Sequence, residues 1–95
     1  MYFLLYIGGI KMSSGIYLIQ NNINKKCYIG KSSNIEKRWK YHKENYNNIK
    51  EYNKPLYRAF RYYGLNNFSF VIIENIDNYN ENSIFVNDRE KYWIE

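Results

Sequence analysis

The chain carries one cysteine, Cys27, and one histidine, His42, in 95 residues. One thiol excludes an internal disulfide framework and a cysteine-based zinc cluster. With a single histidine as well, the metal sites left open are mainly those built from oxygen ligands. The scarcity of cysteine fits a reducing, intracellular compartment. No apolar run approaches the ~20 residues that cross a bilayer, so no membrane partner is expected. The chain is also too short for a second domain, and a single modest core is expected. The opening MYFLLYIGGI is apolar but lacks a basic n-region and a small-residue cleavage site, which argues against a signal peptide. Residues 1–12 are expected to form an extra edge strand or a loosely packed leader, ahead of one domain over residues 13–95. Met12 offers an alternative start, which an intact mass of the natural product would test.

Aromatic residues, by contrast, are abundant at 20%, twelve of them Tyr. Lys and Arg outnumber Asp and Glu by 14 to 9, for a net charge of +5. The charge is unevenly placed. Lys11 to Arg61 holds twelve basic and three acidic residues, whereas Tyr62 to Glu95 holds two basic and six acidic. A basic, aromatic-rich body suggests a polyanionic partner, most simply nucleic acid. On charge alone, incidental positive charge on a soluble surface remains open. The fifteen asparagines fit a biased genome better than a function.

The element order reads β-β-α-α-β-α, a small α/β or α+β domain. Gly15 to Gln20 and Lys26 to Gly30 predict a hairpin, with Asn22 and Asn24 supplying the positive φ of its loop. Ser33 and Glu36 are spaced as a capping box, placing a helix start near Asn34. Ile35, Trp39, His42 and Tyr46 share one stripe of that helix, with Arg38 at its edge. A second helix is expected from an Asn53 cap and Pro55, burying Leu56, Ala59, Phe60 and Tyr63 and closing at Gly64. Phe68 to Glu74 is apolar on both faces, as a central strand would be. Ser83 to Glu95 reads as a last helix anchored by Phe85, Val86, Tyr92 and Trp93.

Four polar features interrupt this packing. Tyr17 and Tyr28 lie in the two hairpin strands, as Gly15-Ile16-Tyr17 and Tyr28-Ile29-Gly30. Arg38 sits on the first helix. Glu90 falls in line with Val86 and Trp93, where an unpaired carboxylate is costly unless it binds a metal.

In this order, GIY, YIG eleven residues on, Lys31, Glu36-Lys37-Arg38-Trp39 with His42 downstream, Leu56 to Gly64 and Arg89 to Ile94 resemble the GIY-YIG nuclease domain. The ordered set carries the resemblance, since Tyr6-Ile7-Gly8 also spells YIG in the wrong place. The resemblance implies a three-stranded antiparallel sheet flanked by helices, and metal-dependent hydrolysis of DNA phosphodiesters. It implies that Tyr17 activates the attacking water or relays its proton, Arg38 binds the scissile phosphate, and Glu90 holds Mg²⁺ or Mn²⁺. Tyr28 would line the site, and Gly30 would let backbone approach closely. His42 is a candidate for proton transfer or phosphate contact. Gly30, Lys31, Lys40, Arg58 and Arg61 are candidate nucleic-acid contacts. Family members often pair this domain with a separate DNA-binding domain, so the domain alone is expected to cleave with little sequence preference. They also often carry an Asn a dozen or more residues past the glutamate, a position beyond Glu95.

The residue types suit the chemistry. Arginine offers a fork matched to phosphate oxygens. A lone carboxylate suits Mg²⁺, which keeps most of its waters. Tyrosine, with an ordinary pKa of about 10, would need Lys31, Arg38 and the metal to lower it. Two other readings stand beside the nuclease: a non-catalytic nucleic-acid-binding module of the same fold, and a small interaction protein using its aromatics. RNA stays open as a substrate. Taken singly, Tyr17 and Tyr28 also read as strand aromatics, and Lys31, Arg58 and Arg61 as surface charges. Trp39, Phe60 and Trp93 read as core, and Cys27 as a strand residue without chemistry.

Overall fold

A computed structural model describes the backbone at residues 6–7 and 10–94, and side chains over residues 12–94. Most of the expected leader lies outside the described residues. Within it, β1 (Tyr6–Ile7) and β2 (Ile10–Lys11) pair antiparallel and form a sheet of their own.

The main sheet has three antiparallel strands. β3 (Gly15–Asn21) is central, between β4 (Cys27–Ser32) and β5 (Phe68–Asn75). The apolar β5 is therefore an edge strand and not the central one its composition suggests. Its two apolar faces have another cause: helices cover both sides of the sheet. α1 (Ile35–Asn45) and α2 (Pro55–Tyr63) pack with Tyr17, Ile19, Phe68 and Phe70 on one side. α3 (Ile84–Ile94) brings Val86 to Ile16 and Ile76 on the other. Strand alternation divides β3 between the layers, with Ile16 facing α3 and Tyr17 facing α1. The β5 partners of Ile16 and Tyr17 are Glu74 and Ile72, so Ile73 is the extra residue of a bulge. Past this bulge Glu74 turns to α3. Among the described residues, no helix is long and apolar enough to cross a membrane.

Local signals hold with corrections. The hairpin loop spans residues 22–26, but its positive φ falls on Lys25, at 66°. Asn24 acts through its side chain instead, accepting from Lys26 N at 2.9 Å. α1 starts where expected, yet its cap is Asn34, whose Oδ1 accepts from Lys37 N at 3.1 Å. Glu36 does not close a capping box. Its Oε1 accepts from Ser13 N at 2.7 Å and ties α1 to the chain entering β3. Lys54, not Asn53, precedes Pro55 at the start of α2.

α3 departs most from expectation. Val86 is its one buried residue, while Phe85, Tyr92 and Trp93 are exposed. What holds the helix is polar. Arg89 Nε and Nη2 donate to the Glu74 carboxylate at 2.8 to 3.0 Å, and Trp93 Nε1 donates to it at 2.8 Å. These bonds, Arg89 first, hold the Glu74 carboxyl below its ordinary pKa. A carboxylate with a depressed folded-state pKa contributes stability that is lost as pH falls through that pKa. Glu74→Ala is accordingly expected to lower the urea midpoint and to accelerate amide exchange in α3 more than in β3. Uniform acceleration across both elements would show that the clamp is not specific to α3.

Candidate active site

The site grows from Tyr17 on the central strand. Tyr17 lies directly across from Gly30 of β4 and is nearly buried. A methyl group on Gly30 would stand 2.5 Å from Tyr17 Oη and 2.9 Å from Cε1. The glycine is thus the seat of the tyrosine ring, which Trp39 contacts edge-on at 5.9 Å between centroids. That is a different reason for glycine from the expected approach of nucleic acid to backbone. Gly15 has its own reason: its φ is 143°, and a side chain there would press on the β5 backbone at Glu74 and Ile76. The two glycines of the motif therefore let the hairpin close around Tyr17 and pack on β5.

His42 of α1 meets this ring. Its Nε2 lies 3.4 Å from Tyr17 Oη, and its Nδ1 lies 2.8 Å from Tyr57 Oη. Burial first, then the charges of Arg38 and Lys54, push the imidazole down to about 4. His42 is therefore neutral near pH 7, with one N–H to share between two hydroxyls. The unfolded chain takes up this proton near 6.5 and the folded chain only near 4. The stability that neutral His42 contributes is complete above 6.5 and is lost as pH falls toward 4. His42→Asn is expected to flatten the fall in melting temperature across that window relative to wild type. Parallel curves for the two proteins would sink the assignment.

Tyr57 was not visible as a site residue. The expected stripe on α2 passes through Leu56 and Ala59, but Tyr57 is fully buried with Phe60. The available signal was Tyr57 three residues before Phe60, a spacing that also shares a helix face.

Arg38 and Glu90 come from helices on opposite faces of the sheet, yet both charges bear on the Tyr17 hydroxyl. Arg38 is exposed and Glu90 half-buried. Neither side chain hydrogen-bonds or ion-pairs with another described residue. The fold holds both charges without using them. Tyr17 itself is raised above its ordinary pKa by burial first; Arg38 opposes this, and Glu90 and Glu81 add to it. Without a bound cation, Tyr17 is therefore a neutral phenol near pH 7. Lys31 does not lower it. Its Nζ donates to Asn87 Oδ1 and to the Glu81 carbonyl, with the Glu81 carboxylate at 3.6 Å, fastening β4 to α3 and the preceding loop.

The remaining candidates disperse. Tyr28 packs half-buried on the Tyr17 side of β4. Arg61 is a clasp and not a free phosphate contact: it donates to the carbonyls of Tyr46 and Tyr52 at 2.8 and 2.6 Å and lies over the Tyr52 ring. Arg58 is exposed on α2. Lys40 is exposed on α1, and a spacing of two residues turns it away from Arg38 and His42. Positive charge gathers elsewhere. A cleft of about 670 Å³ opens beside the first turns of α1, lined by Lys37, Arg38, Tyr41, His42, Glu51 and Lys54 among others. Lys37 and Lys54 were not singled out from the sequence. Trp93 is exposed and not core, whereas Trp39 and Phe60 are core as expected.

Among the described residues no three of His, Cys, Asp and Glu converge on one point. A protein cage for zinc or calcium is not formed there. A single carboxylate such as Glu90, without a hydrogen bond or ion pair to a described residue, does fit a hard divalent cation that keeps its waters.

The family model for the GIY-YIG catalytic domain matches residues 13–95. The chain belongs to the GIY-YIG family. It is 39% identical over 83 residues to intron-associated endonuclease 1 of Enterobacteria phage T4, covering 87% of this chain. It spans about a third of that relative, 32% of its length. Two solved structures are similar. One is the catalytic domain of homing endonuclease I-TevI, at TM-score 0.66 and 33% identity, covering 85% of this chain and 84% of that one. The other is a glutamate-to-alanine mutant of the intron endonuclease I-TevI catalytic domain, at TM-score 0.73 and 35% identity, covering 87% and 81%. The three-stranded sheet and its helices are thus the GIY-YIG fold.

Proposed function

We propose that this GIY-YIG domain is a metal-dependent endonuclease that hydrolyses DNA phosphodiester bonds. The observation that supports it is the family match over residues 13–95, joined by a Tyr17 hydroxyl that lies 3.4 Å from a neutral imidazole and feels the charges of Arg38 and Glu90.

Arg38 binds the scissile phosphate through its fork and neutralises charge that grows in the pentacoordinate state. Tyr17 receives the proton of the attacking water as its own hydroxyl proton passes to a solvent water, a relay open to a neutral phenol. Glu90 would hold Mg²⁺ or Mn²⁺. When bound, that cation neutralises the phosphate and assists the departing oxygen. The cleft beside Arg38 carries one flank of the strand, with Lys37 and Lys54 meeting flanking phosphates. These contacts are sequence-independent, so affinity is weak and salt-sensitive, and a separate DNA-binding domain or protein supplies specificity.

The test is plasmid nicking by wild type and Glu90→Ala, each with and without Mg²⁺. Nicking by wild type alone, and only with metal, is expected. Ca²⁺ is expected to support binding without cleavage. Robust cleavage in excess chelator would overturn the role of Glu90. Salt-sensitive DNA binding with no cleavage by either protein would make the chain a binding module. A parallel RNA substrate separates the two nucleic acids.

A further inference from the structure

Neutral His42 carries one proton, and the protein must place it on one of two nitrogens. We propose that the buried Tyr57 hydroxyl makes that choice. By donating to Nδ1, it fixes the His42 tautomer and ring so that Nε2–H donates to Tyr17. Tyr57 is then a positioning residue for the relay, and the proposal rests on the nuclease reading above.

The argument is an accounting of hydrogens. Tyr57 is 0% exposed, so its hydroxyl has no solvent to turn to. Among the described residues its one hydrogen-bond partner is His42 Nδ1, at 2.8 Å. Burial pushes the Tyr57 phenol up to about 12, so it keeps its proton at every working pH. If Nδ1 were protonated, it would donate to Tyr57 Oη and leave the Tyr57 hydrogen buried without an acceptor. Such an orphan is costly and rare. With Tyr57 donating, Nδ1 is the acceptor and Nε2 bears the hydrogen. Nε2 faces Tyr17 Oη at 3.4 Å. The hydrogens of Tyr57 and His42 are then both satisfied.

Two consequences follow for Tyr17. Its oxygen accepts from His42, so its own hydrogen turns away from the imidazole. The imidazole is also not a base toward Tyr17. It is a donor whose bond strengthens as charge develops on the phenol oxygen. Tyr57 is well placed to hold this arrangement. Its ring stacks on Phe60 at 6.1 Å and meets the His42 ring edge-on at 5.5 Å between centroids.

The test has two arms. In wild type, long-range ¹H–¹⁵N correlation of His42 at pH 7 is expected to show a protonated Nε2 and a bare Nδ1. Tyr57→Phe keeps the buried ring and removes only the hydroxyl. It is expected to mix the two tautomers and to lower kcat about tenfold or more, with KM nearly unchanged. A protonated Nδ1 in wild type overturns the proposal, and so does a Tyr57→Phe protein with unaltered tautomer and rate. The wild-type spectrum needs neither a variant nor cleavage. If no nuclease activity exists, the nuclease reading fails alone and the tautomer assignment is still decided.

Discussion

Gly30→Ala is expected to cut DNA cleavage by about 100-fold while leaving the fold in place. The added methyl would occupy space held by the Tyr17 ring, 2.5 Å from its hydroxyl oxygen. The ring must slide or tilt, and Trp39 on its flank resists. A displacement of about 1 Å at a reacting group costs on the order of 100-fold in rate. Overpacking of this kind typically costs about 1–3 kcal/mol of stability. The two effects separate by experiment: urea unfolding gives the stability cost, and single-turnover cleavage far below the midpoint gives the rate. DNA affinity should change little, because Gly30 offers no phosphate contact. Cleavage within threefold of wild type would mean that the position of the Tyr17 ring does not govern the reaction.

Arg38→Ala is expected to lower cleavage by about 10²–10³-fold, the usual effect of removing one preorganised charge from a developing oxyanion. Its stability should hardly move, since the exposed guanidinium has no partner among the described residues. The sharper comparison is Arg38→Lys. Lysine keeps the charge but loses the planar fork that grips two phosphate oxygens. Arg38→Lys should therefore bind DNA with a salt dependence close to that of wild type and still cleave at least about tenfold more slowly. Equal rates for Lys and Arg would show that Arg38 acts as a point charge alone. A large loss of stability in Arg38→Ala would show a structural role instead.

Much of this site was legible in the sequence because it is written in short, ordered motifs. Tyr17, Tyr28, Gly30, Arg38, His42 and Glu90 all belong to segments with a recognisable spacing. The family and the sheet follow from them. Less legible were contacts that depend on a register or on a neighbour's choice of partner. Glu36 follows Ser33 at capping-box spacing, but the Ser13 amide arrives through the sheet and takes it. Lys31 and Arg61 read as free cations until the fold brings Asn87 and Glu81 to one and two backbone carbonyls to the other. Tyr57 was hidden by its neighbours, since Leu56 and Ala59 fit an apolar stripe better than a tyrosine does. Burial, which raises the Tyr17 pKa, cannot be read from a motif, whereas the nearby positive charge that opposes it can.

The uneven anchoring of α3 has a consequence for how the protein can fail. Tyr17, His42 and Arg38 belong to the well-packed layer, and Glu90 belongs to a helix that buries one residue and is held mainly by polar bonds, from Glu74 and from Lys31. The layers need not come apart together. A modest rise in temperature, or protonation of Glu74, can lift α3 while β3, α1 and α2 remain folded. On the nuclease reading, such a molecule would keep the cleft beside Arg38 and lose Glu90. It would then bind DNA without cutting it, and the Glu74–Arg89 pair would set how readily the cutting state is lost.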